Sequence, residues 1–307
     1  MAAHSEKICF FNGQYIPLKD ANVNIQTNAL QYGTACFGGM RGYWNPEKKD
    51  VYIFRLEEHY RRLASSARML HMKMEYDQEA FAEIIRQVVR RGEWKQNIYL
   101  RPFIYKSDFD VSPKLYNLKD AFALYVFGMD DYLDTKKGLN ICVSSWTRIH
   151  DSMIPTRSKA TGGYVNSALA KSEAVENGFD EALFLDKDGN VSEASAMNIF
   201  IVSNGKLITP DLSSSILEGI TRKTILTLAA ENSIETEERK IVRSELYSAD
   251  EVFFAGTGVQ VAWIKNIDHR TVGNGSIGPV TEKLQSLYFK VVRGDVPQYN
   301  RWLTGMY

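Results

Sequence analysis

The chain has 307 residues, enough for two domains that each bury a core of their own. Lysine plus arginine and aspartate plus glutamate number 37 each, so the formal net charge is zero. That balance counts against a polyanion or an anionic membrane as the main partner, and it leaves little colloidal repulsion to oppose self-association. Cys9, Cys36 and Cys142 show no paired spacing and the five histidines no metal-ligand spacing, so reduced thiols and no metal centre are expected. The first residues lack a basic start followed by an apolar run, and no segment reaches the length of a membrane span. A cytoplasmic protein is expected.

In chain order, residues 7–16 (KICFFNGQYI) predict two short strands about an Asn12-Gly13 turn. Residues 29–44 carry four glycines among aromatics and read as a strand entering a loop near a ligand. A strand over 51–55 leads into the helical stripe Leu56, Tyr60, Leu63, Ala67 and Leu70, and residues 79–91 predict a second amphipathic helix. The apolar, β-rich runs 97–105 and 121–127 predict strands. The polar connector 131–138 marks a domain boundary, with a first domain over 1–130 and a second over 139–307.

The second half alternates. A strand over 139–145 precedes a loop around Lys159, then a helix from Val165 ended by Gly178, a strand over 181–186 and an Asp188-Gly189 turn. Further strands include 206–209 and 251–255, with a helix starting near Gly219 and another over 281–293. The expected class is therefore α/β, in two domains with hairpins as well as crossovers. Gly273-Asn274-Gly275-Ser276-Ile277-Gly278 matches a dinucleotide fingerprint literally. Pro279 follows at once and no further βαβ unit comes after it, so a hairpin loop of small residues is expected.

Two residues carry chemistry. Lys159 sits among Ser158, Ala160, Thr161, Gly162 and Gly163, and a lysine with room around it can form an imine with an aldehyde. Glu193 lies in the small, weakly polar segment Val191-Ser192-Glu193-Ala194-Ser195-Ala196, where a carboxylate can hold a pyridinium nitrogen protonated. These are the two contacts a pyridoxal phosphate enzyme needs most. A phosphate needs donors, and the run Ser213 through Arg222 reads as a loop entering a helix whose amides and dipole favour an anion. Arg62 and the turn Ala255-Gly256-Thr257-Gly258 are further donors.

Lys159 with Gly163-Tyr164-Val165-Asn166-Ser167, Asp180-Glu181-Ala182 with Glu193 and Asn198, and Gly219-Ile220-Thr221-Arg222 come in one order and spacing. From Phe11-Asn12-Gly13 to Gly278-Pro279-Val280-Thr281, that pattern resembles the class IV, fold-type IV pyridoxal phosphate enzymes, most closely the branched-chain amino acid aminotransferases. The resemblance implies a two-domain α/β (α+β) fold of the D-amino acid aminotransferase type, with a small N-terminal domain and a larger C-terminal domain that binds pyridoxal 5'-phosphate. It implies Lys159 as the Schiff-base and proton-shuttle residue, Glu193 as the pyridinium partner and Tyr164 as the phenol on the cofactor's 3′ oxygen. Arg62, in a His-x-x-Arg-Leu pattern, looks like the phosphate arginine, completed by Gly219, Ile220, Thr221, Gly256 and Thr257. Leu217 would pack on the ring face. Tyr99-Leu100-Arg101-Pro102 matches a Tyr-x-Arg-Pro block whose tyrosine and arginine line the substrate pocket. Tyr32, Phe37 and Tyr132 match further pocket aromatics, and the turn holding Gly258 and Val259 would take the substrate α-carboxylate.

Two departures bear on specificity. Where the branched-chain enzymes usually carry Phe-Glu-Gly-Ile-Arg, this chain reads Phe37-Gly38-Gly39-Met40-Arg41, and after Thr257 it reads Gly258-Val259-Gln260-Val261-Ala262-Trp263. The expected activity is ping-pong transamination from leucine, isoleucine or valine to 2-oxoglutarate. The alternatives are a D-amino acid or (R)-amine transaminase, an aminodeoxychorismate lyase, and a non-catalytic scaffold. The resemblance also implies a homodimer or higher homo-oligomer whose loop over 107–117 reaches a neighbouring subunit. Amino acids and 2-oxo acids are the expected partners, with no nucleic acid, membrane or metal.

Overall fold

A computed structural model describes residues 7–130 and 137–307. Tyr132 and most of the connector at 131–138 lie outside the described residues. The described chain divides into two compact units. One holds residues up to Asp130, the five residues Ser158–Gly162, and Val291–Tyr307; the other holds residues 137–157 and Gly163–Lys290. The short segment around Lys159 and the chain's last residues thus count with the first unit, where a single cut at 131–138 would place both with the second.

Backbone pairing explains this allocation. Phe37 N–H donates to Lys159 O at 3.1 Å, Thr161 N–H to Ala35 O at 2.8 Å and Gly162 N–H to Gly33 O at 3.1 Å, so the lysine segment lies along the strand Ala35–Phe37. Leu303–Gly305 pairs antiparallel with Asp50–Phe54.

The first unit is built on an eight-stranded sheet. Its order is Leu303–Gly305, Asp50–Phe54, Met40–Asn45, Ile98–Lys106, Asp120–Gly128, Ile8–Phe11 and Gln14–Pro17, with Ala35–Phe37 also on Ile98–Lys106. Asn12 and Gly13 take positive φ of 47° and 83° in the tight turn of the first hairpin. Ala35–Phe37 and Met40–Asn45 share one register along Ile98–Lys106, with Phe37 opposite Phe103 and Met40 opposite Leu100. The break between them falls opposite Pro102, which has no N–H to give to a ladder; Gly38 N–H still donates to Pro102 O at 2.8 Å. The helix Asn28–Tyr32 precedes this region, where the reading of 29–44 as a strand entering a loop predicts no helix.

The helix Leu56–Met69 packs on Ala35–Phe37, and Gln78–Arg91, capped by the Asp77 carboxylate on Ala80 N–H at 2.9 Å, packs on Ile8–Phe11 and Asp120–Gly128. The buried side of Leu56–Met69 is Leu56, His59, Leu63, Ser66 and Ala67. Tyr60, expected on that stripe, is only half-buried and donates its hydroxyl to Tyr76 O at 2.9 Å. Two polar residues therefore occupy a helix face that an apolar stripe alone would assign to the core.

The second unit has a nine-stranded mixed sheet. Its order is Val191–Ala194, Glu181–Leu185, Leu139–Val143, Gln260–Ile267, Glu251–Gly256, Asn198–Ser203, Lys206–Thr209 and Thr236–Glu238, with Arg270–Thr271 beside Gln260–Ile267. Helix Tyr164–Glu176 packs on Glu181–Leu185 through Ala170 and Ala174, and Ile220–Glu231 packs on Glu251–Gly256. The glycine-rich segment 273–278 is not a hairpin loop: it leads into the helix Pro279–Arg293. The start of that helix is satisfied internally, because the Glu251 carboxylate accepts from Val280 N–H at 3.0 Å and Thr281 N–H at 2.7 Å.

Candidate active site

In the first unit, Lys159 is held by its backbone on two sides. Its carbonyl accepts from Phe37 N–H, and its own N–H donates to the Ser66 hydroxyl at 3.1 Å. Ser158 Oγ donates to Ser66 O at 3.4 Å, so one buried serine receives two neighbouring donors. The Lys159 ammonium lies 5.1 Å from the centre of the Phe37 ring, and the Arg101 guanidinium lies 4.5 Å from the same centre.

Arg101 projects from the strand Ile98–Lys106, where alternation puts Tyr99, Arg101, Phe103 and Tyr105 on one face. Tyr125 and Phe127 come to that face from the next strand, opposite Arg101 and Tyr99. Their rings pack on one another, with Tyr99 5.3 Å from Phe127 and Phe103 6.4 Å from Tyr125. Arg101 Nη2 donates to Tyr99 Oη at 3.4 Å, while its Nε is buried with no hydrogen-bond partner. A half-buried guanidinium whose buried Nε–H is open, walled by aromatic rings, is arranged to take an anionic oxygen beside apolar surface. Gly39 makes room for this wall: a Cβ there would stand 2.0 Å from Tyr99 Oη. At Gly38 the same atom would meet Pro102 Cγ at 2.9 Å, so the space of a side chain is already taken by the proline ring.

His59 and Arg62 share the helix with Ser66. His59 is buried, its Nδ1 has no partner, and burial followed by the charges of Arg62, Arg55 and Lys159 holds its pKa well below the ordinary imidazole value. It is a neutral ring among cations.

In the second unit, Glu193 is buried on the strand Val191–Ala194. One oxygen pairs with Arg148 Nη2 at 2.7 Å; the other accepts from Asn198 Nδ2 and from Leu217 N–H, each at 3.0 Å. Asn198 also donates to Leu217 O at 2.9 Å. Gly219 follows, and a Cβ on it would stand 2.0 Å from Asn198 Oδ1, which accounts for a glycine there. Ile220 and Thr221 open the helix Ile220–Glu231, both buried. Tyr164 opens the helix Tyr164–Glu176. Gly256, Thr257, Gly258 and Val259 form the turn between Glu251–Gly256 and Gln260–Ile267, with Gly256 opposite Gln260 and Val259 buried.

The family model for class IV amino-transferases matches residues 35–267. The chain belongs to the class IV aminotransferases. It is 46% identical to a probable branched-chain-amino-acid aminotransferase of Aquifex aeolicus, covering 100% of this chain and 99% of that one. It is 36% identical to the branched-chain-amino-acid aminotransferase of Escherichia coli K12, over 96% of each. Among solved structures, the branched-chain aminotransferase of Thermoproteus uzoniensis with norvaline superposes with a TM-score of 0.94 at 38% identity, covering 98% of this chain and 99% of that one. The branched-chain amino acid aminotransferase of Thermobaculum terrenum in its PLP form gives 0.94 at 37%, covering 99% of each chain. These likenesses carry the fold-type IV architecture expected above.

In this class IV aminotransferase the structure brings Lys159, Phe37, Tyr99 and Arg101 into one cluster, and Glu193, Leu217 and Gly219 into another. Tyr32 stands at the end of the helix Asn28–Tyr32, 36% exposed, its hydroxyl donating to Val111 O. Sequence reasoning passed over Ser66, Arg148 and the aromatic pair Tyr125 and Phe127. The aromatics were legible as alternation along 121–127; nothing local marked the serine or the arginine. Each unit holds groups that suit a pyridoxal phosphate: in the first, a lysine amine beside an aromatic face; in the second, a buried carboxylate held by three donors and a helix start free of side-chain bulk at Gly219.

Proposed function

We propose that this chain moves the amino group of a branched-chain L-amino acid to 2-oxoglutarate in two half-reactions, with pyridoxal 5'-phosphate carried on Lys159. The shared ring of Phe37 carries the reading: the Lys159 ammonium and the Arg101 guanidinium both lie against it, at 5.1 and 4.5 Å. An amine for an aldehyde and a cation for a distal carboxylate, beside apolar walls, suit a site that takes leucine in one half-reaction and glutamate in the other. When bound, the cofactor supplies the electron sink that makes the substrate Cα–H acidic.

The chain's own groups do the rest. The Lys159 amine would hold the cofactor through its aldehyde and, when freed, would carry the proton taken from substrate Cα. Glu193 would keep the ring nitrogen protonated, and Tyr164 would bond the 3′ oxygen. Arg62 would offer its guanidinium to the phosphate dianion, and the amides of Gly219, Ile220, Thr221, Gly256 and Thr257 would offer N–H donors, with the N-terminal dipole of Ile220–Glu231 favouring an anion. Leu217 would pack on the ring. Tyr99, Phe103, Tyr125 and Phe127 receive the apolar side chain, and the turn at Gly258 and Val259 takes the α-carboxylate.

Self-association belongs to the same reading. Ile25, Leu30, Phe109 and Val111 are 82%, 61%, 57% and 77% exposed, and their segments are stitched together by Asn28 N–H on Asp108 O at 2.8 Å. Apolar surface of that kind suits burial against a second copy. A Val111→Asp variant sedimenting as a smaller species supports a homodimer through this patch; an unchanged species removes it. The three cysteines are free and buried, in keeping with a cytoplasmic setting, and no described helix is long and apolar enough to cross a membrane.

The test is a half-reaction titration. L-leucine should bleach the visible absorbance of the lysine-bound cofactor, and borohydride should fix that cofactor on Lys159. Bleaching by D-alanine or (R)-1-phenylethylamine instead would give the site to the D-amino acid or amine reading.

A further inference from the structure

Glu193 does not stand alone against whatever it faces, because Arg148 is paired with it inside the protein. Arg148 leaves the strand Leu139–Val143 through a loop whose backbone is tied to the sheet by its own N–H on Leu185 O at 2.9 Å. Its side chain is 14% exposed and that of Glu193 only 6%, with Nη2 and Oε1 2.7 Å apart. Arg148 Nε donates to Ser215 O at 3.4 Å, and the guanidinium lies 5.7 Å from the Phe184 ring centre. Ser215 holds that carbonyl in place with a positive φ of 59°. The arginine is therefore oriented by its loop, by a carbonyl and by an aromatic face, and it has no need of a ligand to stay there.

We propose that Arg148 is a positioning residue that holds Glu193 as a carboxylate, so that the proton the two groups could share sits on the cofactor's ring nitrogen and not on Glu193. This rests on the reading that the pyridine nitrogen of pyridoxal 5'-phosphate meets Glu193.

The physics is a competition between two sites for one proton. A buried carboxylate and a buried pyridine can exist as an ion pair or as a neutral acid with a neutral base, and burial favours the neutral pair. A guanidinium in contact with the carboxylate lowers its basicity and shifts the proton to nitrogen. Asn198 and Leu217 N–H act in the same direction, but as neutral donors they act more weakly than a charge. No bond to carbon changes; a single proton moves along one N–H···O line.

The experiment has two arms, using Arg148→Met, Arg148→Lys and, should the methionine variant not fold, Arg148→Gln. In the apoenzyme, the Glu193 carboxyl is followed by carbon-13 NMR through a pH titration, assigned by its loss in Glu193→Gln. Its midpoint should rise by about one pH unit or more without the guanidinium and return most of the way with lysine. In the holoenzyme, pyridoxal phosphate labelled with nitrogen-15 in the ring should show a pyridinium shift in the unaltered protein and Arg148→Lys, and a pyridine-like shift in Arg148→Met. An unmoved Glu193 midpoint in Arg148→Met apoenzyme overturns the inference and leaves the cofactor reading standing. A moved midpoint with an unmoved ring nitrogen overturns it too, since the carboxylate's charge would not govern the proton. A protein that takes up no labelled cofactor in any form fails the underlying reading instead.

Discussion

The backbone N–H of Lys159 donates to the side-chain hydroxyl of Ser66 across 93 residues of sequence, at 3.1 Å. The serine is 1% exposed and belongs to the helix Leu56–Met69, so a rigid element sets the height of the lysine along its strand partner. Ser66→Ala removes the acceptor and leaves a partly buried amide unmet, a cost of about 1 kcal/mol. Amide exchange at Lys159 should quicken roughly fivefold in the apoenzyme, with retention of pyridoxal phosphate weakened in step. Exchange at the unaltered rate would show that the ladder to Ala35–Phe37 suffices without the serine.

Arg101 should divide the two half-reactions. Removing a charged hydrogen-bond partner costs about 1.5–3 kcal/mol, or roughly 10–100-fold. Arg101→Ala should raise the KM for glutamate and 2-oxoglutarate by that factor while leaving kcat/KM for leucine within a few-fold. Equal losses on acidic and apolar substrates would mean that the arginine supports the wall and does not read the carboxylate.

Gly39 tests how tightly that wall is built. A methyl group at this position must displace Tyr99, whose hydroxyl stands 2.0 Å from the place of the new atom. Overpacking of this sort costs about 1–3 kcal/mol, so Gly39→Ala should lower the Tm. Adding Tyr99→Leu should recover part of the loss, because the two changes touch one another. Strict additivity of the two changes would place the strain elsewhere.

His59 makes an acid-side prediction. Its folded-state pKa is depressed, by burial first and by Arg62, Arg55 and Lys159 after it, whereas the unfolded chain titrates near the ordinary value. The unfolded state therefore binds the extra proton first, and stability falls as pH drops below the ordinary imidazole pKa, by at most about 1.4 kcal/mol per pH unit. The loss ends only once the folded pKa is reached. Urea unfolding of His59→Asn from neutral to mildly acid pH should show a shallower decline than the unaltered protein; parallel curves would mean that other groups set the acid limit.

Much of the fold was legible locally. The Asn12-Gly13 hairpin, the Asp77-led helix and the alternating strand that carries Tyr99 and Arg101 each write their own period and turn chemistry into consecutive residues. The lysine among small residues was legible for the same reason, since the room it needs is made by its neighbours in the chain. The helix Leu56–Met69 shows where this stops. An apolar stripe predicted Tyr60 inward, but His59 and Ser66 take that face, because a polar side chain becomes a good core residue wherever a donor, a charge or a ligand meets it.

By itself, then, the sequence singled out the candidates for the chemistry: Lys159, Glu193 and Arg101, each a residue type at odds with its immediate surroundings, and Arg62, by the resemblance of its His-x-x-Arg-Leu pattern. It also determined the elements that bear them, because period and capping are properties of short stretches. Only the tertiary structure decided that Ser66 receives the Lys159 amide, that Lys159 and Arg101 share the ring of Phe37, and that Arg148 charges the surroundings of Glu193. Those pairings depend on strand register and on how a helix packs on a sheet. The interactions that fix both run between residues far apart in the chain, where no local pattern records them.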